Sequence, residues 1–301
     1  MNNTWAKFLK ACGGTIVEAD GIHWLKVNKG LLACYFPHQI PVITEANARH
    51  AIHRDKTAWF ARWQSNYGEL EESKWWCVVR EGIWDIESIP DKKERWAIRQ
   101  GRKRLVTRRM IPQEVLEMAP EVANKAQSRY KGTNIRMYTS ESFATRLAAG
   151  EQVPGMLEYF GVFDKNKLVG WAEIHVVDNA CSMCTIKYDP DYLKQYSSYC
   201  LIDSLLDEFL NKRKMAYIND GERSIYHETN FQPFLIKSFG FKQKYSRLNV
   251  TYRIPLGIAV RSFYPFRKII SKSKTIIGPR ANAVSALLEQ EAIVRSCREK
   301  T

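Results

Sequence analysis

The chain has 301 residues, enough for one large domain or two modest ones, and its 45% hydrophobic and 26% charged residues exclude wholesale disorder. A formal net charge of +14 points toward anionic partners: nucleic acid, an acidic membrane surface or a phosphorylated cofactor. No run approaches the about 18 uninterrupted apolar residues of a spanning helix. The first residues lack a secretory leader's pattern, and the seven cysteines are odd in number and scattered, which together predict a cytoplasmic protein with reduced thiols.

In chain order, Trp5 to Cys12 predicts a short helix ending at Gly13-Gly14. Three short strands follow at Thr15–Glu18, Ile22–Val27 and Leu31–Phe36, separated by the turn sequences Asp20-Gly21 and Asn28-Lys29-Gly30. A segment rich in tryptophan (Trp59, Trp63, Trp75, Trp76, Trp84) reads as core or interface. The strongly basic run from Pro90 to Arg109 predicts a helix capped by Asp91 and interrupted at Gly101; its charges read as a solvated face or a nucleic-acid stripe.

From Leu105 the order of elements becomes informative. A short strand at Leu105–Met110 leads to a helix over Pro112–Tyr130, kinked by Pro120, and a second helix over Ser140–Ala149. Met156–Phe163, Leu168–Val177 and Cys181–Tyr188 are three consecutive strands. Ser197–Lys212 is an amphipathic helix with Leu201, Ile202, Leu205, Leu206, Phe209 and Leu210 inward. A strand at Ala216–Ile218, a helix at Phe231–Phe239 and a hairpin of Phe241–Tyr245 with Leu248–Ile254 complete the domain. The tail is basic and aromatic and ends in a helix over Ala281–Arg298. Strands in runs, broken by single helices, predict an α/β fold with a mixed sheet (α+β in its arrangement). The expected divisions are an α+β N-terminal region (1–104), the mixed-sheet domain (105–254) and a basic helical extension (255–301).

This order resembles the GNAT acyltransferase fold, over about half of the chain. The family leaves its fourth strand through Val-x-Pro-x-Tyr-Arg-Gly-x-Gly-x-Gly into a long helix. Here Pro190 and Tyr192 keep their places and Leu201 keeps the helix anchor. The family's downstream Asn, then Gly-Phe, is echoed by Asn230 and Gly240-Phe241 with one residue fewer between them. The departures are specific. Leu193 stands at the Arg or Gln, Tyr196 at the first Gly and Ser198 at the second, while Ile236 stands at the family's acid Tyr.

The resemblance implies an acyl-CoA (acetyl-CoA) donor whose pyrophosphate would meet Lys194, Gln195, Ser197, Ser198 and Asn230. The degraded loop resembles instead the Fem-like branch, which carries tandem GNAT-like domains, lacks the CoA loop and draws its acyl group from aminoacyl-tRNA or another activated carrier.

Acyl transfer to an amine needs a base, and the strand Val169–Val177 alternates so that Trp171, Glu173 and His175 share a face. Glu173 and His175 are candidate base and orienter, with Trp171 beside a substrate. The polar stretch Asp220–Asn230 offers Arg223 for a carboxylate or phosphate, and His227 and Glu228 for proton transfer. Cys181-x-x-Cys184 on a strand turns its thiols to opposite faces, and no second pair stands at zinc-ribbon spacing, so no metal is expected. Three readings follow. The first is N-acyl or aminoacyl transfer from an acyl-CoA, tRNA- or carrier-linked donor. The second is a non-catalytic GNAT-like module on nucleic acid or an anionic surface. The third is a peripheral membrane protein touching lipid through 261–274.

Overall fold

The structure, a computed structural model, describes residues 3–129, 137–225, 230–272 and 279–298. The chain weaves through two units: 1–77, 222–229 and 243–301 form the first, and 78–221 with 230–242 the second.

The first unit opens with helix α1 (Thr4–Ala11), capped by the Asn3 side chain, and a meander β1 (Ile16–Ala19), β2 (Ile22–Val27), β3 (Gly30–Ala33). Its first turn works because Asp20 and Gly21 both take positive φ, 54° and 71°, which matches the twist of a two-residue hairpin. Helix α2 (Glu45–Arg54) starts at a capping box between Thr44 and Asn47. It packs with Trp24, Leu31, Ala61 and Trp63 into one apolar cluster, the last two from strand β4 (Phe60–Leu70).

One expectation fails here. Lys242 to Tyr252 is a single strand, numbered β11 below in chain order, antiparallel to β4, and not a hairpin. The register slips between Tyr245 and Arg247, and Ser246 at the slip is fully buried, donating its hydroxyl to Gln64 at 2.9 Å. A bulge changes direction locally without ending the strand, so its sequence imitates a turn.

The second unit begins within β5 (Trp75–Glu81). Helix α3 (Lys92–Arg104) is capped by Asp91 as expected, but runs unbroken through Gly101. A Cβ at Gly101 would lie 3.0 Å from the Cys200 nitrogen and the Tyr196 oxygen, so glycine here serves a close helix crossing. Then come β6 (Val106–Arg109), α4 (Pro112–Gln127), α5 (Ser140–Glu151), β7 (Leu157–Asp164), β8 (Lys167–Val177) and β9 (Ala180–Tyr188). Helix α6 (Ser197–Leu206) continues as a wider turn through Asp207–Lys212 into β10 (Tyr217–Glu222), followed by α7 (Phe231–Phe239).

Strand order in this unit is β5-β10-β9-β8-β7-β6, antiparallel from β6 to β9 and parallel between β9 and β10. The mixed sheet is thus present. One face carries α4 and α5 over Val115, Ala119, Phe143, Tyr159 and Trp171. The other carries α6, where Phe209 meets Phe160. Leu201, Ile202, Leu205, Leu206 and Phe209 are fully buried, each contributing about 1.5–3 kcal/mol.

The last segments belong to the first unit: β11, then α8 (Ile254–Phe263), α9 (Arg267–Lys272) and α10 (Pro279–Arg298). Ile293, Val294 and Cys297 of α10 pack on Trp75, Leu248 and Val250.

Candidate active site

Strand β8 places Trp171, Glu173 and His175 on the face under α4 and α5, as the alternation predicts. Trp171 lies in the core, and its indole N–H donates to the Ala119 carbonyl at 3.1 Å. Glu173 is 2% exposed. It accepts from Tyr159 Oη at 2.5 Å, from Arg146 Nε at 2.7 Å and from a second Arg146 nitrogen. His175 Nε2 lies 2.7 Å from Glu173 Oε1. Desolvation works against this carboxylate, yet the hydrogen bonds from His175 and Arg146 hold it at about 2. For His175 the balance is opposite: burial outweighs the attraction of Glu173 and lowers it, so the imidazole is neutral.

The tautomer follows. An ionised carboxylate only accepts, so Nε2 carries the proton and Nδ1 is left as an acceptor. Nδ1 faces Cys184 Sγ at 2.7 Å. Cys184 reaches it because β9 bulges: Thr185 pairs with Glu173 and Met183 with Ile174, leaving Cys184 as the extra residue. Its partner in the motif behaves as expected for the far face, with Cys181 fully buried and Cys184 exposed.

Beside the bulge the sheet forks. β9 and β10 are in parallel register only over Ala180–Ser182 and Tyr217–Asn219. Asn219 pins the fork, accepting from Ser182 Oγ at 2.9 Å and from the Gly221 nitrogen at 2.8 Å. The next residue, Asp220, is lifted by desolvation to about 7 against a hydrogen bond from Gln232. One arm of the fork thus carries a thiol–imidazole–carboxylate line, and the other a carboxyl that titrates near neutrality.

The turn into α6 is built differently from a glycine cradle. Tyr196 takes the left-handed conformation at φ 66°, so a tyrosine occupies a backbone position that glycine adopts without strain. Its ring meets Trp96 and Tyr199, with Arg104 5.5 Å above it. Ser197 is fully buried, and Gly101 of α3 lies against this first turn. These residues do not fit a CoA pyrophosphate, which needs bare backbone N–H groups approached from outside. Lys194 and Gln195 precede the turn, Lys194 exposed and Gln195 half-buried, and Ser198 follows Ser197 into the helix.

The other sequence candidates lie elsewhere. Asn230 is exposed at the start of α7. Arg223, in the first unit, donates to the Lys74 carbonyl at 2.8 Å, and its guanidinium stands 4.9 Å from the centre of the Trp76 ring. His227 and Glu228 lie outside the described residues. Sequence reasoning missed Arg146, whose pairing with Glu173 crosses from a helix, and used Cys184 only as half of a metal motif. Asp220 stands in the sequence at the head of the polar stretch Asp220–Asn230, where nothing local sets it apart.

No protein-family model matches the sequence, and no curated protein matches it. Solved structures do. The C-terminal domain of a putative lysylphosphatidylglycerol synthetase from Agrobacterium fabrum superposes with a TM-score of 0.57 at 11% identity, over 87% of this chain and 91% of that one. FemX gives 0.53 at 9%, over 80% and 88%. L-PGS from Bacillus licheniformis gives 0.51 at 13%, over 84% and 89%. The fold is therefore GNAT-like. These likenesses run through most of the chain and not the second unit alone.

Proposed function

We propose that the protein transfers an acyl or aminoacyl group from an activated, carrier-linked donor to an amine, with His175 as the base. The observation that carries this reading is the line Arg146–Glu173–His175, which fixes one imidazole tautomer and turns its acceptor nitrogen toward the fork. Neutral His175 takes the proton of an attacking nucleophile; Glu173 stabilises the imidazolium that forms, and Asp220 in its neutral form protonates the leaving group. The names of the neighbours, two of them lysylphosphatidylglycerol synthetase and L-PGS, support aminoacyl chemistry. The covered turn at Tyr196 favours a donor carrier other than CoA, aminoacyl-tRNA among the candidates.

The test supplies labelled aminoacyl-tRNA or acetyl-CoA with hydroxylamine as a stand-in acceptor and measures the hydroxamate. Product from aminoacyl-tRNA, falling at least tenfold in His175→Gln, supports the reading. No product from either donor, or equal product from the variant, overturns it.

We also propose a peripheral membrane contact through α8 and α9. Ile254, Ile258, Phe263, Phe266 and Ile269 are exposed, interleaved with Arg261, Arg267 and Lys268, the composition of a helix lying in an anionic interface. Among the described residues no helix is long and apolar enough to cross a membrane. The nucleic-acid reading loses support because Arg99, Arg102 and Arg108 of the basic run already pair with Glu87, Asp203 and Glu114.

A further inference from the structure

We propose that Cys184 is a covalent acyl carrier, so that transfer proceeds in two steps through a thioester on this chain. The inference rests on the acyl-transfer reading above and adds a nucleophile to it.

Four observations converge on the thiol. Its Sγ stands 2.7 Å from His175 Nδ1, and His175 Nε2 stands 2.7 Å from Glu173 Oε1, so nucleophile, base and orienting carboxylate are in hydrogen-bonded series. The series is anchored at its far end, because Arg146 and Tyr159 both bond Glu173 and leave the carboxylate little freedom to turn away. The bulge in β9 inserts Cys184 as an unpaired residue opposite Glu173 and Ile174, which aims the thiol at the imidazole. Cys184 is an exposed residue, whereas Glu173 and His175 are 2% and 1% exposed, so the series meets solvent at its Cys184 end.

Cys184 keeps a surface open to solvent, while the protein around it desolvates its thiol and pushes it up. The resting pair is therefore a neutral thiol beside a neutral imidazole, and the proton moves as the nucleophile attacks. Sulfur adds to the carbonyl carbon of an activated ester or thioester donor while His175 Nδ1 takes the S–H proton. The bond from the carbonyl to the donor's oxygen or sulfur breaks, that atom leaves with the proton the imidazolium gives back, and the acyl group remains on Cys184 with His175 neutral again. An amine then adds to the thioester carbonyl, loses a proton to His175 and forms the amide. Cys184 departs and recovers its proton from the imidazolium. Atoms balance without an external oxidant or reductant.

The experiment uses the full chain with p-nitrophenyl acetate as donor and hydroxylamine as acceptor. Without acceptor, a burst of about one p-nitrophenolate per chain and a single acetyl group mapped to Cys184 are expected. His175→Gln is expected to slow the burst about 100-fold, and added hydroxylamine to discharge the acetyl group. A wild-type chain with no burst, or with its acetyl group on another residue, overturns the proposal. Cys184→Ala separates the two ideas. If it keeps wild-type hydroxamate formation, transfer is direct, which refutes the thioester and leaves His175 as base. If wild type itself forms no hydroxamate from any donor, the acyl-transfer reading falls as well. Circular dichroism and thermal melting of each variant verify that it is folded.

Discussion

Cys184 Sγ and His175 Nδ1 are 2.7 Å apart although nine residues and a hairpin separate them. The contact depends on Glu173, which holds the other ring nitrogen as a donor and so makes Nδ1 the acceptor. Several consequences can be measured.

Glu173→Gln replaces a carboxylate that accepts from three groups by an amide, and removes the charge that Arg146 pairs with there. Removing one partner of a fully buried ion pair costs about 3–5 kcal/mol, and solvent at the Arg146 side chain, 34% exposed, lowers the expectation to about 2–3 kcal/mol. Urea unfolding is expected to show a loss in that range, together with weaker transfer because the imidazole tautomer is no longer fixed. A wild-type unfolding midpoint for this variant refutes the pairing.

The same carboxylate predicts acid sensitivity. Its folded value, about 2, lies below the ordinary 4.5. A depressed carboxylate contributes stability that is present above about 4.5 and is lost as pH falls toward 2. The gap in melting temperature between wild type and Glu173→Gln is expected to narrow across that window.

Asp220 behaves with the opposite sign. Its folded value is raised from 3.8 to about 7, so the native state binds the proton more tightly than the unfolded chain, and stability falls as pH rises between those values. Asp220→Asn removes the cost of ionisation. At about pH 8 the variant is expected to exceed wild type by on the order of 2 kcal/mol, allowing for partial solvation, with the difference vanishing near pH 4. Equal melting curves at both pH values refute the assignment.

Gly101→Ala places a methyl group 3.0 Å from backbone atoms of Tyr196 and Cys200, which cannot move aside like a flexible side chain. A loss of about 1–3 kcal/mol is expected by chemical denaturation. Millimolar CoA is expected to leave the melting temperature of wild type unchanged, because the turn does not present a pyrophosphate cradle.

Phe263→Ser with Phe266→Ser removes two exposed rings from the segment joining α8 and α9. Co-flotation with phosphatidylglycerol vesicles is expected to fall several-fold with little change in thermal stability. Unchanged flotation refutes the interface.

The element order after Leu105 was legible because each helix announces itself by periodicity and a cap, and each strand by alternation between turn residues. Asp91, Pro112 and Gly240 mark ends in the sequence and in the structure alike. Two local signals misled, for a shared reason. Gly101 and Ser246 carry turn-like chemistry, but Gly101 answers to a helix packed against it and Ser246 to a bulge whose hydroxyl is bonded across the sheet.

By itself, the sequence determined the mixed α/β class, the face shared by Trp171, Glu173 and His175, and the loss of glycine at Tyr196 and Ser198, since these depend on residues near one another in the chain. The tertiary structure decided what each residue of that face meets. It buried Trp171 in the core, brought Arg146 from a helix onto Glu173, and used an unpaired residue in β9 to set Cys184 against His175. Hydrogen-bond partners and burial are properties of side chains meeting across elements, and a one-residue bulge reassigns them without leaving a pattern that periodicity can read.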